Sequence, residues 1–201
     1  MIRIGVWIFN VFLLNLLWFI FSLLGLIIFG LFPATAALFS VLRNLIMETD
    51  DLSTLEVIRL FWSKFKSEFL KSNLVGFILS ICGFILYLDI RVLQQLDNNL
   101  FHVSLSIVTF VIGFVYLLIF LYIFPVFVHF DLKVLQYPKH AFILAIGRPL
   151  KTIVMMIVLA IVIFLYTILP GLIPVFGVSL ISLVIMKTAS LSFPEKSGTL
   201  N

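Results

Sequence analysis

A chain of 201 residues that is 63% hydrophobic and only 11% charged has too little polar surface to close a water-soluble fold. Its mean hydropathy of +1.29 comes from helix-length apolar runs without period-2 alternation, which points to a polytopic all-α membrane bundle and argues against a barrel. The net charge of +4 is spread over several segments, a pattern of membrane orientation rather than of nucleic-acid binding, so one integral membrane domain is expected over 1–201.

The first apolar run is read over 5–31, with no cleavage-site pattern, and is expected to stay as a membrane anchor. Ile4 to Leu42 carries no charge and as one helix would measure about 58 Å, nearly two bilayer thicknesses, so the chain must break. Gly25, Gly30 and Pro33 are the breakers, and Pro33 suits the first turn of a short second helix over 33–48. Two arrangements are open. Either a long span leads into a shallow cytoplasmic-face helix with the N-terminus outside, or the two helices form a hairpin that turns near the outer face. The hairpin puts Arg3 inside and uses Ala34, Ala36 and Ala37 for close approach, and the charge tally favours it despite its short second arm.

Ser53 and Glu56 have capping-box spacing, so a helix is expected over 54–72. Ile58, Phe61, Trp62, Phe65 and Phe69 recur on one face, with Arg59, Lys64, Lys66 and Lys71 mostly away from it. That pattern describes an interfacial helix held by aromatic burial and anionic headgroups. The alternative is a docking surface in which Ile58, Phe61, Trp62, Phe65 and Phe69 meet a partner and Arg59 and Lys66 form the rim. Further spans are read over 74–92, 103–128, 150–169 and 173–189. With 43–71, 130–149 and the C-terminal tail in the cytoplasm, eleven of the 13 basic residues lie inside whichever arrangement holds, leaving outside Arg91 and, without the hairpin, Arg3, as the positive-inside rule requires of short loops.

Chemistry-bearing residues are few. Asn10 and Asn15 are the deepest polar side chains, with packing the expected role; Pro170-Gly171 with Pro174 and Gly177 reads as a tight outer turn. Asp89, Arg91, Asp97 and His102 gather near one outer end, with Asp89 and Arg91 as anchors or a mutual pair. Together with Asn15, Asp89, Arg91 and His102 make the candidate polar site. His129 and Asp131 sit two apart on a helix and make a poor metal pair, and His140 has no ligand partner at helical spacing. No P-loop, zinc-protease or nucleophile-elbow motif occurs, so no catalytic residue, metal or cofactor is expected.

The segments Leu14-Asn15-Leu16-Leu17-Trp18, Phe32-Pro33-Ala34-Thr35-Ala36-Ala37-Leu38 and Val41-Leu42-Arg43, followed by Phe61-Trp62-Ser63-Lys64-Phe65 and Asn73, resemble the YesL-like family of bacterial membrane proteins, the domain of unknown function 624. Members commonly carry a Pro in the linker after the first span, where this chain has none between Leu23 and Gly30. The resemblance implies a Gram-positive plasma membrane. It also implies a carbohydrate ABC transporter or sensor-kinase subunit as partner class, because family members are often encoded beside these. The expectation is a non-enzymatic accessory protein, with a small permease or channel acting as a homo-oligomer as the alternative.

Overall fold

A computed structural model describes residues 2–47, 52–96 and 99–193, with the side chains of 2–4 left aside. Every regular element among them is a helix: α1 (Ile2–Leu24), α2 (Leu31–Met47), α3 (Thr54–Ser67), α4 (Phe69–Leu93), α5 (Leu100–His129), α6 (Gln136–Gly147), α7 (Pro149–Ile168) and α8 (Leu172–Ser190). Five of them, α1, α4, α5, α7 and α8, are long and apolar enough to cross a membrane. Asp97 and Lys196 lie outside the described residues.

The helix expected over 5–31 ends at Leu24, because a six-residue turn intervenes before α2. Gly25 and Gly30 make it by direct backbone contact: a Cβ on Gly25 would stand 2.2 Å from the Gly30 Cα, and one on Gly30 would stand 2.5 Å from the Ser22 carbonyl oxygen. Leu26 and Ile27 take φ of 57° and 64°, the left-handed region where a side chain costs about 1–2 kcal/mol. Replacing Ile27 with Gly is therefore expected to stabilise the protein by about 0.5–1 kcal/mol, the relief of that strain less the added freedom of an unfolded glycine. Equilibrium unfolding in detergent reads it.

The turn is held at one end of the bundle. Asn73, on the second turn of α4, donates from Nδ2 to the Phe29 carbonyl at 3.0 Å, and Phe77 meets the rings of Phe29 and Phe32 edge-on. Phe21, near the end of α1, packs on Phe61, Trp62 and Phe65 of α3. Farther back, Asn15 bonds the first turns of α8. The other end of α8 meets the C-terminus of α5 through stacked His129 and Phe193, and the start of α7 through Lys151 and the Leu191 carbonyl. α1 thus runs parallel to α8 and ends where α3 lies. The hairpin turn expected near the outer face is instead at the α3 end, and α2 stays there: Ser40 shares a recess with Lys64, Lys71 and Asp131. The physical reason is that aromatic and amide anchors on α3 and α4 hold the turn, whereas the charge tally weighed a single residue, Arg3. The two arms still touch, with Trp18 Nε1 donating to Thr35 Oγ1 at 3.0 Å.

α2 is the centre of the molecule, packed on α1, α3, α4, α5 and α8. Ala34, Ala36, Ala37, Leu38, Val41 and Leu42 are fully buried, the alanines letting neighbouring backbones come close, and Phe39 stacks on Phe124 at 5.7 Å. The helix expected over 54–72 is divided. α3 closes at Glu68, whose amide bonds the Lys64 carbonyl, and residues from Phe69 onward belong to α4. α6 lies in the stretch read as a connecting loop. Tyr137, Ala141 and Ala145 are buried at helical spacing, and Thr152 ties it to α7 by donating to the Ala145 carbonyl at 2.8 Å. Pro174 and Gly177, read as part of the outer turn, lie within α8; the turn itself is confined to 169–171.

Candidate functional site

α3 is a rigid element. Ser53 caps it: the Glu56 amide donates to Ser53 Oγ at 3.4 Å, and Glu56 Oε2 accepts from the Ser53 backbone amide at 2.8 Å and hydroxyl at 2.7 Å. These bonds, the hydroxyl first, then the amide, with Arg59 adding a favourable charge, hold the Glu56 carboxyl below its ordinary value of 4.5. Because the folded pKa is depressed, the contribution is present above about 4.5 and is lost as pH falls through the lower folded value. The protection of α3 amides, their exchange rate relative to that of an unstructured chain at the same pH, is expected to fall as pH drops below about 4.5 in the native chain, with a smaller pH response in Ser53→Ala.

The aromatic stripe of α3 divides between two environments. Phe61 and Phe65 are buried against Phe21 and α2 and so face the protein's own core, and Phe69 is half-buried at 5.8 Å from Phe65. Ile58 and Trp62 stay 37% and 42% exposed, beside Leu55 at 76%, and with Leu24 and Arg59 they border an open hollow of about 540 Å³. Lys66 places Nζ 4.1 Å over the Trp62 ring.

The members of the candidate polar site do not meet. Asn15 is fully buried between α1 and α8, donating from Nδ2 to the Pro174 carbonyl at 2.8 Å while Oδ1 accepts from the Val178 and Ser179 amides at 3.0 and 3.3 Å. Pro174 and Val178 are the two residues that an α-helix joins to each other, so the Asn15 amide bridges one rung of the α8 ladder. Tyr166 of α7 supports the next rungs, its hydroxyl reaching the Phe176 and Gly177 carbonyls at 3.1 and 3.0 Å. Asp89 and Arg91 take separate partners: Thr109 Oγ1 donates to Asp89 Oδ2 at 2.5 Å, and Arg91 Nε donates to Tyr87 Oη at 2.9 Å. His102 caps nothing but is itself anchored, its amide on Asn99 Oδ1 and its Nε2 3.1 Å from the Leu93 carbonyl.

Two features escape a reading of the sequence alone. At the α3 end, Lys71 Nζ meets Asp131 Oδ1 at 2.8 Å, and this ammonium holds the Asp131 carboxyl below the usual range. The Asp131 side chain is 98% exposed, so the pair contributes little to stability. At the other end, α4 and α5 stand apart from the bundle. Over 80–92 and 100–117 only Thr109 is buried. The pair borders an open groove of about 730 Å³, walled by Ile90, Phe110, Phe114 and Leu117, with Gly113 between them and Gln94, His102 and Ser106 toward its end. Among the described residues no three His, Cys, Asp or Glu gather as a metal set.

A family model described as a protein of unknown function, DUF624, matches residues 11–90. Three relatives from Bacillus subtilis (strain 168), each named only as uncharacterised, align over nearly the whole chain. YteU is 39% identical over 90% of this chain and 80% of its own length; YesL is 35% identical over 93% and 86%. YesV is 35% identical over 90% and 86%. The chain belongs to the YesL-like DUF624 family. No solved structure matches it. In this YesL-like protein the matched segment holds Asn15, the Gly25–Gly30 turn, α3 and most of α4, whereas α8, which Asn15 bonds, lies beyond it.

Proposed function

We propose that this YesL-like protein is a non-catalytic accessory of the plasma membrane whose α4–α5 pair receives a membrane helix from a transport or signalling subunit. The observation that carries the reading is the bareness of that pair. α1 and α8 bury polar and apolar faces alike against their neighbours, but the α3-distal halves of α4 and α5 leave both sides of the pair uncovered. Within lipid, helices associate through close packing around small residues and through hydroxyl contacts, and the groove offers Gly113 for the first and the Ser106 hydroxyl for the second. A sugar-uptake or sensor-kinase subunit is the partner class that the family resemblance favours.

Gly113 supplies the test. A Cβ there meets nothing within 4 Å, so Gly113→Trp fills the groove without displacing the protein's own packing. Affinity purification from native membranes is expected to recover a stoichiometric membrane partner with the natural chain. With Gly113→Trp recovery should fall at least about tenfold, a loss of 1.4 kcal/mol or more, at an unchanged unfolding midpoint. Undiminished recovery would remove the groove from the interface, and recovery only of the chain's own copies would favour the homo-oligomeric permease.

A further inference from the structure

We infer that the turn at 25–30 lies within the hydrocarbon of the bilayer leaflet on the α3 side, and that the outward edge of α3 lies beside it with Arg59 and Lys66 at anionic headgroups. Three independent observations meet here. The first is the backbone: five of the six turn amides, those of Gly25, Leu26, Ile27, Ile28 and Phe29, and the amide of Leu31 donate to carbonyls of residues 21–27, and the Phe29 carbonyl is taken up by Asn73 Nδ2. Non-helical backbone at membrane depth must find its partners within the protein, and this turn meets most of its donors there. The second is the choice of side chains. Left-handed positions favour Gly or Asn, yet here they carry Leu26 and Ile27, both exposed, flanked by exposed Leu23, Leu24, Ile28 and Phe29. An aqueous turn would accept the polar residues that relieve the strain; a lipid-facing one excludes them. The third is charge. The apolar surface of the turn continues through Leu24 to Leu55, Ile58 and Trp62, and the cations bordering it are Arg59 and Lys66, with the carboxylate of Glu56 bonded to the cap at Ser53. An apolar face with a cationic rim is complementary to a leaflet with anionic headgroups. α1 therefore stops inside the membrane and the chain re-enters the protein as α2.

Depth measurement by spin labelling tests this. Single cysteines are placed at Leu26, Ile28 and Leu55 in a Cys82→Ala background, labelled with a nitroxide, and reconstituted into phosphatidylcholine vesicles with or without phosphatidylglycerol. Phe110→Cys, within α5, and Lys139→Cys, on α6, serve as lipid and water references. Labels at 26 and 28 are expected to be relaxed by oxygen and shielded from a nickel chelate, as at 110. Nickel accessibility at the level of 139 would overturn the placement of the turn. Phosphatidylglycerol is expected to raise the oxygen-to-nickel ratio at 55 at least twofold, and Arg59→Gln with Lys66→Gln to abolish the rise. A rise that persists in that variant, or no rise at all, would overturn the assignment of headgroup contact to these two cations.

Discussion

Replacing Gly30 with Ala is expected to cost about 3 kcal/mol or more and to leave most of the protein unable to reach its native bundle. The new methyl would stand 2.5 Å from the Ser22 carbonyl oxygen and 2.8 Å from that of Phe21, both backbone atoms at the end of α1 that cannot swing aside. Gly25→Ala meets the Gly30 backbone at 2.2 Å and should behave alike. The consequence extends beyond the turn, because its position sets how α2 enters the core against α1, α3, α4, α5 and α8. Gly147→Ala and Gly171→Ala, where a Cβ meets nothing within 4 Å, are expected to be near neutral. Urea or heat unfolding in a mild detergent, read by tryptophan fluorescence, separates the two pairs. Equal stabilities for all four variants would contradict the close approach at the turn.

The second large effect is expected at Asn15. Asn15→Leu removes one donor and one acceptor from a fully buried site and leaves the Pro174 carbonyl and the Val178 and Ser179 amides to find each other, a loss of about 2 kcal/mol. Asn15→Asp is expected to be worse although it is nearly isosteric. A carboxylate can still accept from the two amides but has no N–H for the Pro174 carbonyl, and it brings a charge into a site without a cation among its partners. The ranking native, Leu, Asp is the readout at neutral pH. If Asp were the milder change, Asn15 would be acting only as an acceptor and the bridge across the α8 rung would be wrong.

Much of this architecture can be read from composition and periodicity, because a span is a local property: some 20 apolar residues suffice to announce it. The capping box at Ser53 and Glu56 is local as well, and both of its reciprocal bonds form. What escapes the sequence depends on distance along the chain. The stripe on α3 looks continuous, yet whether Phe61 or Trp62 faces the core is decided by Phe21, forty positions earlier, and by α2. Asn15 reads as a lone polar residue in a span because its partners lie 159 to 164 positions away. Lys71 and Asp131 pair across 60 positions. The break between α1 and α2 is announced by Gly25 and Gly30, but the end of the bundle at which it lies is decided by Asn73 and Phe77. α6 had a legible signal in the helical spacing of Tyr137, Ala141 and Ala145, obscured by the surrounding Lys133, Lys139 and Arg148 that mark the segment as a loop.

The groove between α4 and α5 carries the functional reading, so the decisive measurement is photo-crosslinking from within it. A photoreactive amino acid at Phe110, which is 75% exposed on the groove wall, is irradiated in native membranes and the adducts are identified by mass. The accessory reading expects one dominant adduct with a membrane-spanning subunit of another protein, lost when Gly113→Trp fills the groove. Adducts confined to lipid or to a second copy of the chain would contradict it.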